Sequence, residues 1–204
     1  MIEQLGQRYE IARNYFKRYA CCRYNHSAID AVNTILGQVP GGRLRPDEIA
    51  SVEVMTYSLA AQLDGQCPRN MLAAKFSIPF AVATRIINGH AGVSSFKPTA
   101  VQDPAIRALT QKVTVAEDPS LTAMMPEKRP SRVKIALTSG KILTAEAFIN
   151  KGDTEDPYTV AEMQEKYFEL LDPLWGRAKA EELYGQVMDL DKISDFNQLT
   201  ARMP

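Results

Sequence analysis

RVKIALTSGKILTAEAF, residues 132–148, settles the layer on which the rest of the chain is built. Val133, Ile135 and Leu137 alternate with Arg132 and Lys134, so one face of this strand is apolar and the other charged. Ser139-Gly140 supplies a tight turn, and residues 142–148 return. Period-two alternation broken by a glycine turn predicts a hairpin with one face on a core. An isolated hairpin is marginal in water, so further strands and helices must complete the layer.

Working outward, residues 49–59 alternate Val52, Val54 and Thr56 on one face and predict a second strand, after a turn at Pro46-Asp47-Glu48. A third is predicted at 112–116, and a fourth at the aromatic, β-prone stretch 9–19. Between them lie helical patterns. Ser27 with Asp30 three residues on fits a capping box, and Ile29, Val32, Ile35 and Leu36 form an apolar stripe ended by Gly37 and Pro40-Gly41-Gly42. Residues 71–88 are apolar on nearly every side (Phe76, Ile78, Phe80, Val82, Ile86, Ile87). They predict one buried helix stopped by Gly89, with Pro79 in its first turn or kinking it. Asp103-Pro104 opens a short helix through Leu109. The expected fold is α+β: a mixed α/β domain over residues 1–150, its sheet packed by helices, followed by a helical extension over 151–204. In that extension Thr159 and Glu162 form a capping box ahead of Val160, Met163, Tyr167, Phe168 and Leu171. A second helix is expected near 177–188 and a third over 196–203. Trp175, Tyr167 and Phe168 have no obvious place on the sheet.

The composition narrows the function classes. Lys plus Arg equals Asp plus Glu at 24 each, so there is no basic footprint for nucleic acid. No long uncharged apolar run predicts a membrane span, and MIEQLGQRYE lacks a signal-type apolar core. Three cysteines with no Cys-x-x-Cys give no zinc pattern and fit a reducing, cytoplasmic setting. No phosphate loop, dinucleotide fingerprint, Gly-x-Ser-x-Gly or His-Glu-x-x-His is present. No cofactor and no metal are expected.

Chemistry-bearing residue types concentrate in Lys17-Arg18-Tyr19-Ala20-Cys21-Cys22-Arg23-Tyr24-Asn25-His26. Three cations lead into a predicted helix N-terminus, whose free N–H groups favour an anion such as a carboxylate. A histidine there is favoured in its neutral form, the form of a general base, and serves equally as a capping residue. Cys21 and Cys22 are either activated thiols or small packing residues. His90, after Gly89, fits a helix C-cap. Ser77 fits an N-cap and is also a candidate substrate contact beside Lys75.

FKRYACCRYNHSAIDA, residues 16–31, resembles the Lys-x-Tyr-x-x-Cys-x-x-x-His-x-x-Ile-Asp-Ala signature of the MmgE/PrpD family. The resemblance continues through AAKFSIPFAVATRIINGHAG (73–92), DPAIRALTQKVTV (103–115), VKIALTSGK (133–141) and GDTEDPYTVAEMQEKYFEL (152–170). It implies the smaller α/β domain of a two-domain enzyme, with the large helical domain absent from these residues and the last helices returning to it. It implies hydro-lyase chemistry of the 2-methylcitrate dehydratase kind, in propionate metabolism: water is eliminated from a hydroxy tricarboxylate or similar acid. It also implies Lys17 facing substrate, His26 at the signature histidine, and Arg23 on a substrate carboxylate. Cys22 stands where decarboxylating members have a histidine, which favours dehydration, and Phe80 where some members have a tyrosine. The expected partners are a small carboxylic acid, a separate helical-domain chain and a second copy in a homodimer. Alternatives are an epimerase or decarboxylase of the same family, or a non-catalytic partner subunit or binding module.

Overall fold

The computed structural model describes residues 6–197. The chain divides into two compact units, one ending at Pro157 and one beginning at Tyr158. In the first unit, β1 (Ile49–Thr56), β2 (Val113–Glu117), β3 (Ser131–Leu137) and β4 (Ile142–Ala147) form one sheet in the order β2-β1-β3-β4. β1 runs parallel to β2 and antiparallel to β3, and β3 and β4 form the expected hairpin. Its turn closes with Leu137 N–H donating to Lys141 O (2.8 Å). Gly140 at φ 86 supplies the left-handed conformation this turn needs. The register opposes Val52 to Ile135 and Val54 to Val133, so the β-branched faces meet across the ladder.

The helices of this unit are α1 (His26–Gly37), α2 (Ser58–Ala61), α3 (Met71–Lys75), α4 (Ile78–Asn88), α5 (Pro98–Gln102), α6 (Pro104–Thr110) and α7 (Pro119–Thr122). α1 packs on β3 and β4, α4 packs on β2, and the two helices pack on each other. Together they cover one face, where Val52, Val54, Val113, Val133, Ile135 and Leu143 are buried with Ile29, Val32, Phe80 and Val82. The opposite face carries Glu53–Lys134 and Arg132–Glu146 ion pairs and is solvated. This is the two-layer solution that the hairpin's alternation requires. A buried hydroxyl ladder joins the layers: Ser27 Oγ meets Ser131 Oγ (2.7 Å), which donates to Thr56 Oγ1 (3.0 Å), which donates to Pro130 O (2.8 Å).

Three local expectations are corrected. Residues 9–19 are not a strand. They hold a single 3-10 turn (Glu10–Arg13), and their backbone bonds to Gly152 O at Phe16 rather than to a neighbouring strand. β-prone composition without a ladder partner does not make a strand. Residues 71–88 are two helices, not one. Ser77 breaks them by adopting extended geometry and capping α4, accepting from Phe80 N–H (3.0 Å), with Pro79 in the first turn. Ser27 and Asp30 do not form a capping box. The cap position is Asn25, and tertiary partners claim both side chains.

The second unit holds α8 (Val160–Trp175) and α9 (Arg177–Met188). The Thr159–Glu162 capping box is present in both directions: Thr159 N–H donates to Glu162 Oε2 (2.8 Å) and Glu162 N–H to Thr159 Oγ1 (3.3 Å). Tyr167, Phe168 and Tyr184 cluster between the helices, with Tyr167 donating to Ala180 O (3.0 Å) and Arg177 stacked over Phe168 at 4.0 Å. Two helices cannot bury all their apolar surface, and Leu174 is 71% exposed. The helix expected over 196–203 lies outside the described residues beyond Asn197. Among the described residues, no helix is long and apolar enough to cross a membrane.

Candidate functional site

The segment 17–26 is a turn fastened at several points. Ala20 N–H donates to Ala91 O (3.0 Å), and Cys22 N–H donates to Lys75 O (2.8 Å). Asn25 Nδ2 donates to the same Lys75 carbonyl (3.1 Å). Its last residues wind into a 3-10 turn (Arg23–Asn25) that runs directly into α1. The turn is therefore set against the end of α3 and the loop after α4, on the helical side of the sheet.

Within it the predicted residues take different positions. Lys17 is exposed, and Arg18 and Cys22 are half-buried. Cys21 is buried, and loss of hydration pushes its thiol up to about 12, so it is an unreactive packing group. His26 is fully buried at the first position of α1, with its ring edge-on to Tyr19 (ring centroids 4.9 Å apart) and its Nδ1 3.5 Å from Arg23 Nη1.

Arg23 is held on every side. It pairs with Asp153, and the two side chains are only 11% and 22% exposed. Its guanidinium also lies 4.3 Å over the Tyr15 ring. Asp153 is itself fixed by Asn150 N–H donating to its other carboxylate oxygen (3.3 Å). The loop 150–157 thus straps the turn from outside. Asp30 forms a second strap: its Oδ1 accepts from Tyr19 OH (2.6 Å) and its Oδ2 from Lys151 N–H (3.1 Å). Burial pushes the Asp30 carboxyl up to about 6, against the downward pull of those two bonds. Asn33 donates to Tyr19 OH (2.8 Å), and Arg85 Nε donates to Asn33 Oδ1 (2.5 Å), which extends the network to α4.

Ser77 lies two residues beyond Lys75. Its hydroxyl donates to Gly65 O (2.6 Å) while capping α4, and both bonds are structural. His90 Nδ1 accepts from Gly92 N–H (3.3 Å) and meets Ser95 Oγ (3.1 Å), just past Gly89 at φ 77. Tyr57 packs edge-on against Tyr24, with ring centroids 5.6 Å apart. Its hydroxyl is buried without a hydrogen-bond partner among the described residues, and burial raises its pKa.

The structure therefore gathers Lys17, Cys22, Arg23 and His26 in one turn, with Lys75 anchored beneath it. It leaves Lys17 and Cys22 on the accessible side, and places His26 in the core. Sequence reasoning missed Asp153, which stands 130 positions from Arg23, and Tyr57; no local pattern marks either. Among the described residues no cluster of three metal-ligating side chains occurs. The arrangement offers cations and a half-buried thiol at a rigid, strapped turn, a setting suited to holding carboxylates.

Residues 19–191 match the MmgE/PrpD C-terminal domain. The match starts two residues past Lys17. The chain is similar to cis-aconitate decarboxylase of Aspergillus terreus, at 20% identity over 192 residues. That alignment covers 90% of this chain and 39% of the fungal protein, so the chain spans well under half the length of that relative.

Proposed function

The chain belongs to the MmgE/PrpD family through its C-terminal domain, and from that premise we propose that it is the substrate-facing part of a lyase that removes water from a hydroxy polycarboxylate of the 2-methylcitrate type. The observation that carries this is the strapped turn: Lys17 is exposed on it, and Arg23, Tyr19 and Asp30 fasten it through Asp153 and Lys151. In the reaction a C–H bond beside a carboxylate breaks and its electron pair moves toward that carboxylate. The C–OH bond of the neighbouring carbon then breaks, the hydroxyl leaves with a proton as water, and a C=C bond forms. The step is slow unless a fixed cation meets the charge that develops on the carboxylate. Lys17 supplies that cation. Arg23, its charge balanced by Asp153, supplies a fixed wall of the turn rather than a mobile clamp. The buried Cys21 thiol donates no proton near neutral pH.

The remaining acid and base come from the family's helical part, on this or a separate chain. The exposed apolar residues Tyr9 and Ile11 before the turn support such a covering element. Cys22, in the position where decarboxylating members have a histidine, supports dehydration. A second reading, decarboxylation, is favoured by the similarity to cis-aconitate decarboxylase; release of CO2 from cis-aconitate distinguishes it.

The test is Lys17→Ala in the enzyme assembled with the helical domain of a family relative. Turnover of 2-methylcitrate should fall by about a hundredfold or more, roughly 2.7 kcal/mol, with the fold intact. Turnover surviving within about tenfold, roughly 1.4 kcal/mol, removes Lys17 from the mechanism.

A further inference from the structure

A cavity of about 420 Å³ opens where α3 packs on α5, and none of residues 17–26 lines it. Each of these helices is five residues long and opened by local chemistry. The Asn70 side chain caps α3 by accepting from Ala73 N–H (2.9 Å), and Pro98 presets the first turn of α5. Met71 and Leu72 of α3 face Pro98 and Val101 of α5 across the cavity. Val101 is 5% exposed and forms its floor, while Met71 and Leu72, at 39% and 67%, form an open rim. Scattered surface leucines carry no message, but apolar side chains gathered around one concavity do. A volume of this order is that of a small-molecule site.

The polar part of the lining decides the class of ligand. Arg69, Asn70 and Gln102 complete it, so it holds one cation, two amides and no carboxylate. Neither Arg69 nor Gln102 has a side-chain partner among the described residues. Asn70 spends its oxygen on the α3 cap, which leaves its amide N–H groups to donate. A guanidinium with amide donors beside an apolar concavity matches a molecule that has one carboxylate and an apolar body. A second carboxylate would lie against Leu72 and Val101 with no cation to meet it, a cost that excludes di- and tricarboxylates.

We propose that this cavity binds a free medium-chain monocarboxylic acid, with its carboxylate on Arg69 and its chain along Met71, Leu72, Pro98 and Val101. Its ligand differs in class from the polycarboxylate proposed for the turn, and the site stands whether or not the turn serves a lyase. Arg69 is exposed, so the charge pair sets selectivity for the carboxylate, while burial of the chain supplies most of the affinity.

The experiment is calorimetric titration of the 204-residue chain with octanoate below its micellar concentration, with far-UV circular dichroism as the fold control. Carbon-13 labelling of the methionine methyl groups locates the binding: the Met71 resonance, assigned by its loss in Met71→Leu, should shift on titration. Affinity should rise about twofold to fourfold with each methylene from hexanoate to decanoate. Arg69→Gln should weaken octanoate binding about threefold or more, and Arg69→Lys, which keeps the charge, should restore most of it. Neutral 1-octanol should bind the wild type and Arg69→Gln alike. Leu72→Asp, which sets an acid on the rim, should weaken octanoate binding about tenfold or more. Leu174→Asp, at a 71% exposed site in the second unit, should leave it within about twofold. Citrate should not displace octanoate. Overturning results are no saturable octanoate binding, binding without a shift of the Met71 methyl, wild-type affinity in Arg69→Gln, or displacement by citrate.

Discussion

Replacing Asp153 by alanine should loosen the turn on which the proposed chemistry depends. The carboxylate pairs with Arg23 at side-chain exposures of 22% and 11%, so the pair is closer to a buried ion pair than to a surface one. Surface pairs contribute about 0–1 kcal/mol, whereas removing one member of a buried pair costs about 3–5 kcal/mol because the other charge is stranded. Partial exposure and the Tyr15 ring stacked at 4.3 Å reduce that penalty. The loss of the Asn150 N–H bond adds back about 1 kcal/mol. The expected loss is about 2–3 kcal/mol, or a urea midpoint lowered by about 1–1.5 M at an m-value of about 2 kcal/mol/M. Far-UV circular dichroism reports both units. The fluorescence of Trp175, the sole tryptophan, reports the second unit alone, so a loss confined to the first unit is visible as non-coincident transitions. Adding Arg23→Met to Asp153→Ala should recover at least half of the loss, since no charge is then stranded. A loss below about 0.5 kcal/mol for Asp153→Ala, or no recovery in the double variant, refutes the claim that Arg23 is a fixed wall held by Asp153.

Asp30, with its folded-state pKa pushed up to about 6 by burial, binds a proton more tightly in the folded than in the unfolded chain. Its contribution to stability is therefore greatest below about pH 4 and declines as pH rises through 6. Urea melts from pH 4 to 7 should show wild type losing about 2 kcal/mol relative to Asp30→Asn across that window, and a constant difference contradicts the assignment. Ser77→Ala removes the α4 cap and the bond to Gly65 O. It should cost about 1–2 kcal/mol by urea melt, with Lys17-dependent turnover otherwise unchanged; a turnover loss without destabilisation assigns Ser77 to substrate instead. Iodoacetamide followed by mass spectrometry should modify the exposed Cys67 first and Cys21 only after unfolding, and early labelling of Cys21 contradicts its burial.

Where an element's own side chains carried the instruction, the sequence was legible. The 132–148 hairpin, the strand at Ile49–Thr56 and the Thr159–Glu162 cap follow from alternation, turn glycine and capping chemistry, all of them local. Errors arose where a distant partner overrode local preference. Residues 9–19 are β-prone but have no ladder to join. Ser27 and Asp30 have capping chemistry but are claimed by Ser131, Tyr19 and Lys151. The site was half legible for the same reason. Its cationic turn is one contiguous run, whereas Asp153 and Tyr57 reach it only through the folded chain. Burial also separated residues that adjacency had grouped, with His26 in the core and Lys17 at the surface.

The most direct test of the central claim is to assemble this chain with the helical domain of a family relative and supply 2-methylcitrate. The product is followed by the ultraviolet absorbance of a conjugated C=C bond and by trapping of CO2. The account predicts formation of the unsaturated acid without CO2, slowed about a hundredfold or more by Lys17→Ala. A stable complex that forms no unsaturated acid, or one that releases CO2 instead, contradicts it.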